Sequence, residues 1–239
     1  MRTGPSRPRS RRATGRHEVA PLHARTRIKI CGLTRAADVR AAVEAGADAI
    51  GFVFYEPSAR HVDVAHAAQL ARALPPFVTP VGLFVNADPA RIDAAIAAIP
   101  RLLLQFHGDE TPAECRRSGR PYLRAARMAP GIDLIDFARR FGDAQGLLLD
   151  AFVDGYGGGG KTFDWACVPR GVPLPVVLSG GLDADNVMAG ILQLRPWAVD
   201  VSSGVEAAKG IKDAVAMRRF CAAVRAADAR LAQADIPTT

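Results

Sequence analysis

No stretch of this sequence approaches the roughly 18 consecutive apolar residues that a membrane span requires, which argues against a membrane role. No C-x-x-C pair occurs among the four cysteines, Cys31, Cys115, Cys167 and Cys221. Their scatter argues against a zinc site or a disulfide framework and for a reducing, cytoplasmic compartment. Acidic residues are nearly absent from the first 26 positions, where Glu18 stands against seven arginines. That segment also lacks apolar periodicity, so it is expected to be disordered. It lacks the 7–15-residue apolar centre of a secretory signal as well. An organellar leader is a weaker reading of it than a plain N-terminal extension or a start codon assigned too early. It offers no aromatic platform for bases, so an RNA partner is not indicated.

The same segment explains the charge. The chain carries +7 overall, and +6 of this lies in residues 1–26, leaving about +1 for the rest. A body so nearly neutral gives no reason to invoke nucleic acid. With 239 residues and 49% apolar composition, the remainder (27–239) is large enough for one barrel-sized domain.

What is present, from Arg27 onward, is a repeated unit: a short apolar run, a polar or glycine-rich turn, then a segment of helical period. Strands are expected at Arg27–Cys31, Ala49–Phe54, Val78–Val85, Leu102–Phe106, Tyr122–Ala126, Gly146–Asp150, Pro175–Ser179 and Ala198–Val201. Such short runs, apolar on both sides, suit parallel strands covered by helices. Helices are expected at Ala36–Ala45, Val64–Ala73, Pro89–Ala98, Thr111–Ser118, Asp133–Phe141, Ala184–Leu194 and Lys212–Arg230. Asp88-Pro89 reads as an N-cap before a first-turn proline, and Asp183 as another N-cap. Glycine and proline crowd the segment after the sixth strand and weaken any helix there. Alternation alone admits either a closed barrel or an open sheet. Polar, glycine-rich clusters follow six of the eight strands, and only a barrel gathers all those loops on one rim. The fold expected is a (β/α)8 barrel.

Gly155–Thr162 matches the phosphate-loop pattern G-x-x-x-x-G-K-[ST], but Pro169, Gly171, Pro173 and Pro175 leave no room for the long helix that a nucleotide loop requires. A loop over an active site is the better reading. Phosphate binding belongs more naturally to Gly180 and Gly181 after strand seven and to Ser202, Ser203 and Gly204 after strand eight, the recurrent barrel position. Cys31 and Asp150 close strands one and six, at the rim where barrel chemistry sits. A carboxylate after a run of leucines is costly to bury unless paired or used. Asp200 on strand eight is a second such carboxylate, a substrate contact or a partner for neighbouring loops. Arg60, after strand two, has the fork to clamp a substrate carboxylate. His107, after strand four, is either a ligand contact or a packing histidine.

Together these segments resemble the phosphoribosylanthranilate isomerase family of tryptophan biosynthesis. The matching runs are Lys29–Thr34 (KICGLT), Gly46–Phe54 (GADAIGFVF), Ser58–Arg60, Val81–Asn86 (VGLFVN), Gln105–Glu110 (QFHGDE), Leu147–Asp150, Gly157–Trp165 (GGGGKTFDW), Leu178–Leu182 and Val199–Glu206. The resemblance implies a (β/α)8 enzyme that rearranges a phosphoribosyl-anthranilate to the deoxyribulose phosphate, with Cys31 as general base and Asp150 as general acid. It further implies that Arg60 binds the anthranilate carboxylate, that loops seven and eight hold the phosphate, and that the glycine run is a mobile loop. No metal or cofactor is called for, because the substrate nitrogen is its own electron source. The expected partner is a small phosphosugar, and the state a monomer or homodimer. Phe106, where leucine is usual, and the basic N-terminal segment depart from the pattern without touching a catalytic position. The competing readings are a histidine-pathway barrel isomerase, which would carry aspartate in place of Cys31, and a P-loop nucleotide-binding module.

Overall fold

In the computed structural model, residues 25–151 and 162–234 are described. Eight parallel strands close into one barrel in sequence order: β1 (Arg27–Cys31), β2 (Ala49–Val53), β3 (Thr79–Phe84), β4 (Leu103–Phe106), β5 (Tyr122–Met128), β6 (Gly146–Ala151), β7 (Val176–Leu178) and β8 (Ala198–Val201). β1 pairs with β2 on one side and with β8 on the other, which completes the ring. The helices are α1 (Ala36–Ala45), α2 (Val64–Arg72), α3 (Pro89–Ala98), α4 (Pro112–Arg116), α5 (Leu134–Arg140), α6 (Val187–Leu194) and α7 (Ala214–Ala234). Among the described residues no helix is long and apolar enough to cross a membrane.

The period-2 alternation of each strand divides its residues between two cores. In β1, Ile28 and Ile30 are fully buried in the shell between strands and helices, with Phe52, Phe84, Phe106 and Phe220. Lys29 and Cys31 take the opposite face, toward the barrel axis. Ala125, Leu148, Val177 and Ala198 form a small apolar floor there. Above that floor the interior turns polar, and this change of character positions the site.

Local chemistry sets the helix starts. Asp88 accepts from Ala90 N–H with Pro89 in the first turn, and Thr111 with Glu114 forms a reciprocal capping box. Two sequence expectations need adjustment, at Asp183 and at Lys212, and a third, the weak helix after β6, holds. Asp183 accepts from the N–H groups of Asp185 and Asn186, but α6 proper begins only at Val187. Among the described residues between β6 and β7 there is one 3-10 turn, Trp165–Cys167, in keeping with the proline and glycine content expected to weaken a helix there. Lys212, expected to open the last helix, lies on a small antiparallel hairpin, β9 (Glu206–Ala208) with β10 (Ile211–Lys212). The phosphate-loop lookalike falls almost wholly within 152–161, and most of the basic segment within 1–24, both outside the described residues. Arg25 and Thr26, assigned by sequence to that segment, are bonded to the barrel through Asp48 and Asp228.

Candidate active site

Five inward-facing residues at the C-terminal rim come from β1, β4, β6 and β8. Cys31 ends β1 and Asp150 stands one residue from the end of β6; β7 and β8 lie between these strands in the ring. Both residues are buried, as are Lys29, His107 and Asp200. Asp200 links the two halves: it acts electrostatically on Cys31, and Asp150 acts on it.

Asp150 is held by two donors. His107 Nε2 lies 3.0 Å from its Oδ2, and the Ala151 N–H donates to Oδ1 at 3.0 Å. Gln105 Nε2 lies 3.3 Å from His107 Nδ1. With that amide as donor, Nδ1 accepts and the ring proton sits on Nε2, facing Asp150. His107 is thus the partner of the carboxylate, a role the sequence reading did not separate from ligand contact or packing. The strand end that carries it is fixed by Glu110, which accepts from Asn86 N–H, Gly108 N–H and Arg124.

Asp200 accepts from Lys29 Nζ at 2.9 Å, with both side chains about 5% exposed. Its other oxygen lies 3.5 Å from Ser179 Oγ. Asp200 therefore forms an ion pair inside the barrel and reaches a residue next to loop seven. Removing one member of such a pair costs about 3–5 kcal/mol, because the other charge is left buried and alone.

Arg60 is more constrained than its sequence position suggested. Nε and Nη2 clasp Glu206 at 2.7 and 2.9 Å, and Lys212 Nζ reaches the same carboxylate at 2.8 Å. Burial opposes the charge on Glu206, but the bonds from Arg60 and Lys212 hold it below the usual carboxylate range. Lys212 also donates to the Ser202 carbonyl. Ser202 Oγ in turn donates to the Cys31 carbonyl at 3.1 Å, fastening loop eight to the end of β1. Loops seven and eight meet where Gly204 lies against the Leu182 carbonyl, an approach that leaves no space for a Cβ.

Sequence reasoning gave no role to Lys29, Gln105, Glu206 or Lys212. The available signal was Lys29, a lysine between two isoleucines in an apolar parallel strand. Lys212 had no usable signal, because its hairpin has the composition of a helix start.

A closed barrel with a thiol, a carboxyl–imidazole pair and two glycine-bearing loops on one rim defines a barrel enzyme equipped for proton transfer. The sequence matches the family model described as N-(5'phosphoribosyl)anthranilate (PRA) isomerase over residues 28–223. It is 73% identical over 212 residues to the N-(5'-phosphoribosyl)anthranilate isomerase of Methylibium petroleiphilum, covering 89% of this chain and all of that one. A crystal structure of phosphoribosyl anthranilate isomerase bound to reduced 1-(o-carboxyphenylamino)-1-deoxyribulose 5-phosphate superposes with TM-score 0.74 at 36% identity, covering 84% of this chain and 99% of that one. A Thermotoga maritima structure, described as monomers generated from the dimeric isomerase, gives TM-score 0.74 at 34% identity, covering 84% and 98%. This chain belongs to the N-(5'-phosphoribosyl)anthranilate isomerase family, enzymes of tryptophan biosynthesis.

Proposed function

We propose that this rim converts N-(5'-phosphoribosyl)anthranilate to 1-(2-carboxyphenylamino)-1-deoxyribulose 5-phosphate, with Cys31 as base and Asp150 as acid. The observation that supports the reading is that Cys31 and Asp150, at the C-terminal ends of β1 and β6, are both buried on one rim, with Asp200 electrostatically coupled to each. Asp150 gives its proton to the furanose oxygen as the anilino nitrogen pushes the ring open to an iminium. His107 Nε2–H and the Ala151 N–H stabilise the carboxylate that remains. The iminium acidifies the sugar C2–H, which the Cys31 thiolate removes. The resulting enolamine becomes the ketone as a proton enters at C1 and the O2 proton leaves, so the reaction takes up no net proton. Each group supplies about 10²–10⁴ in rate.

Backbone N–H groups of Gly180, Gly181, Ser203 and Gly204 hold the phosphate, and Ser202 contributes by tying their loop to β1. Nη1, the Arg60 nitrogen not bonded to Glu206, is the one left for the anthranilate carboxylate. The expected result is loss of phosphoribosylanthranilate fluorescence on adding the purified protein. An unchanged signal would overturn the assignment. The four free thiols agree with a cytoplasmic setting.

We propose further that the chain pairs with a second copy through the N-terminal face of its barrel. Phe77, at the turn before β3, is 97% exposed and adopts φ +69°, a conformation unfavourable for a bulky residue. It stands at the edge of a cavity of about 350 Å³ whose lining mixes apolar Val81, Leu103, Leu123 and Val177 with charged Arg25, Arg27, Lys29 and Asp48. An exposed knob beside a hole on the same face is self-complementary under twofold symmetry. In sedimentation velocity the protein should run at about twice its 25.3 kDa chain mass, and F77E should halve that. A wild-type species at single-chain mass would remove the proposal.

A further inference from the structure

We propose that Lys29 is a positioning residue for proton abstraction, its ammonium, anchored on Asp200, standing beside the Cys31 sulfur at the end of β1 as the counter-charge for the thiolate that takes the proton. The inference rests on the reading of Cys31 as the base.

The placement follows from the strand. Lys29 and Cys31 are two residues apart, so both point to the barrel axis, one layer above the other. Lys29 Nζ donates to Asp200 Oδ1 at 2.9 Å, and the same ammonium stands beside the Cys31 sulfur over Gly51. Gly51, paired with Cys31 on β2, makes that meeting possible. A Cβ at position 51 would lie 2.7 Å from Cys31 Sγ and 3.1 Å from Lys29 Nζ, in the space the two groups share.

Burial pushes the Cys31 thiol up and outweighs the cations around it, so every counter-charge beside the sulfur bears on how readily the thiolate forms. Three cations face it: Lys29 from its own strand, Lys212 from β10 and Arg60 from the loop after β2. Lys212 and Arg60 are engaged by Glu206, and their influence on the sulfur is electrostatic only. Lys29 is the cation that shares with the sulfur the space over Gly51. Asp200 acts in the opposite sense, raising the thiol while fixing the lysine; Asp150 and His107 act in turn on Asp200. Burial acts against the Lys29 ammonium, but Asp200 and Cys31 together hold it above the ordinary lysine range, so the cation persists at neutral pH.

This arrangement predicts opposite effects from two neighbours. The Cys31 titration is read from thiolate absorbance in the far ultraviolet, subtracting a matched Cys31→Ser protein to remove Cys115, Cys167 and Cys221. Lys29→Gln should raise the midpoint by about one pH unit or more, and Asp200→Asn should lower it. The kcat–pH profile of Lys29→Gln should move the same way, with KM little changed. Because Lys29→Gln strands a buried carboxylate, Lys29→Gln/Asp200→Asn is the second variant. It removes both charges as a unit and should still raise the midpoint, since Lys29 acts on the sulfur more strongly than Asp200. An unchanged or lowered midpoint in whichever Lys29 variant folds, or equal shifts of one sign from Lys29→Gln and Asp200→Asn, would overturn the proposal. The titration needs no substrate, so it stands apart from the test of Cys31 as base, which is turnover by Cys31→Ala.

Discussion

Cys31→Ala should lower kcat by about 10²–10⁴ while the protein keeps its fold. The loss has a specific origin. With the ring open, the iminium makes the C2 hydrogen acidic, but a base must still stand beside it, and alanine supplies none. Water is an inadequate substitute because the sulfur position is 4% exposed, enclosed by the end of β1 and its neighbours. The structural cost is small by comparison. One sulfur is removed from the inward face of β1, whereas the backbone contacts of that strand end, Gly32 N–H to the Gly51 carbonyl and Ser202 Oγ to the Cys31 carbonyl, do not involve the side chain. Far-ultraviolet circular dichroism and thermal unfolding should therefore resemble wild type. Cys31→Ser should fare little better, since a hydroxyl does not ionise under these conditions. Turnover at the wild-type rate in the alanine variant would remove Cys31 from the mechanism.

The strands and the barrel were legible because they depend on patterns the chain repeats eight times. Ile28 and Ile30 alternate with Lys29 and Cys31, and the same alternation recurs in Leu147, Leu148, Leu149 and Asp150. Element ends were less legible where a proline or a capping aspartate allowed two solutions, as at Asp183, whose side chain closes a turn ahead of α6 rather than the helix itself. Cys31, Asp150 and Arg60 stood out because each is a polar group at the C-terminal side of a strand. What one sequence position cannot disclose is the partner. Arg60 looks like a free clamp until Glu206, 146 residues later, is placed on it. Asp200 looks unpaired until Lys29, 171 residues earlier, is placed on it. Both pairings are made by closure of the ring, which brings β8 and its loop against β1 and β2. Closure is a property of the whole chain. His107 illustrates the same point across β5, where Asp150 lies two strands away.

Asp150→Asn should also cost about 10²–10⁴ in kcat/KM, but at the other end of the reaction. The carboxamide is nearly isosteric with the carboxyl. It has no proton to give the furanose oxygen, so the C–O bond must break to an uncompensated alkoxide. Its hydrogen bonding is also wrong. Asp150 accepts from His107 Nε2 at one oxygen and from the Ala151 N–H at the other, whereas asparagine turns one of those acceptors into a donor. One donor pair then opposes itself unless the imidazole changes tautomer, which would break its bond with Gln105. The variant should still bind the reduced deoxyribulose phosphate found in the family's crystal structure, because the groups proposed for its phosphate and carboxylate lie on loops seven and eight and at Arg60. Tight binding with the ring closed, and no exchange of the sugar C2 hydrogen with solvent deuterium, is the expected result. Accumulation of an open-chain intermediate would mean that ring opening does not need Asp150. The acid would then have to be sought elsewhere on the rim, with His107 the first residue to test.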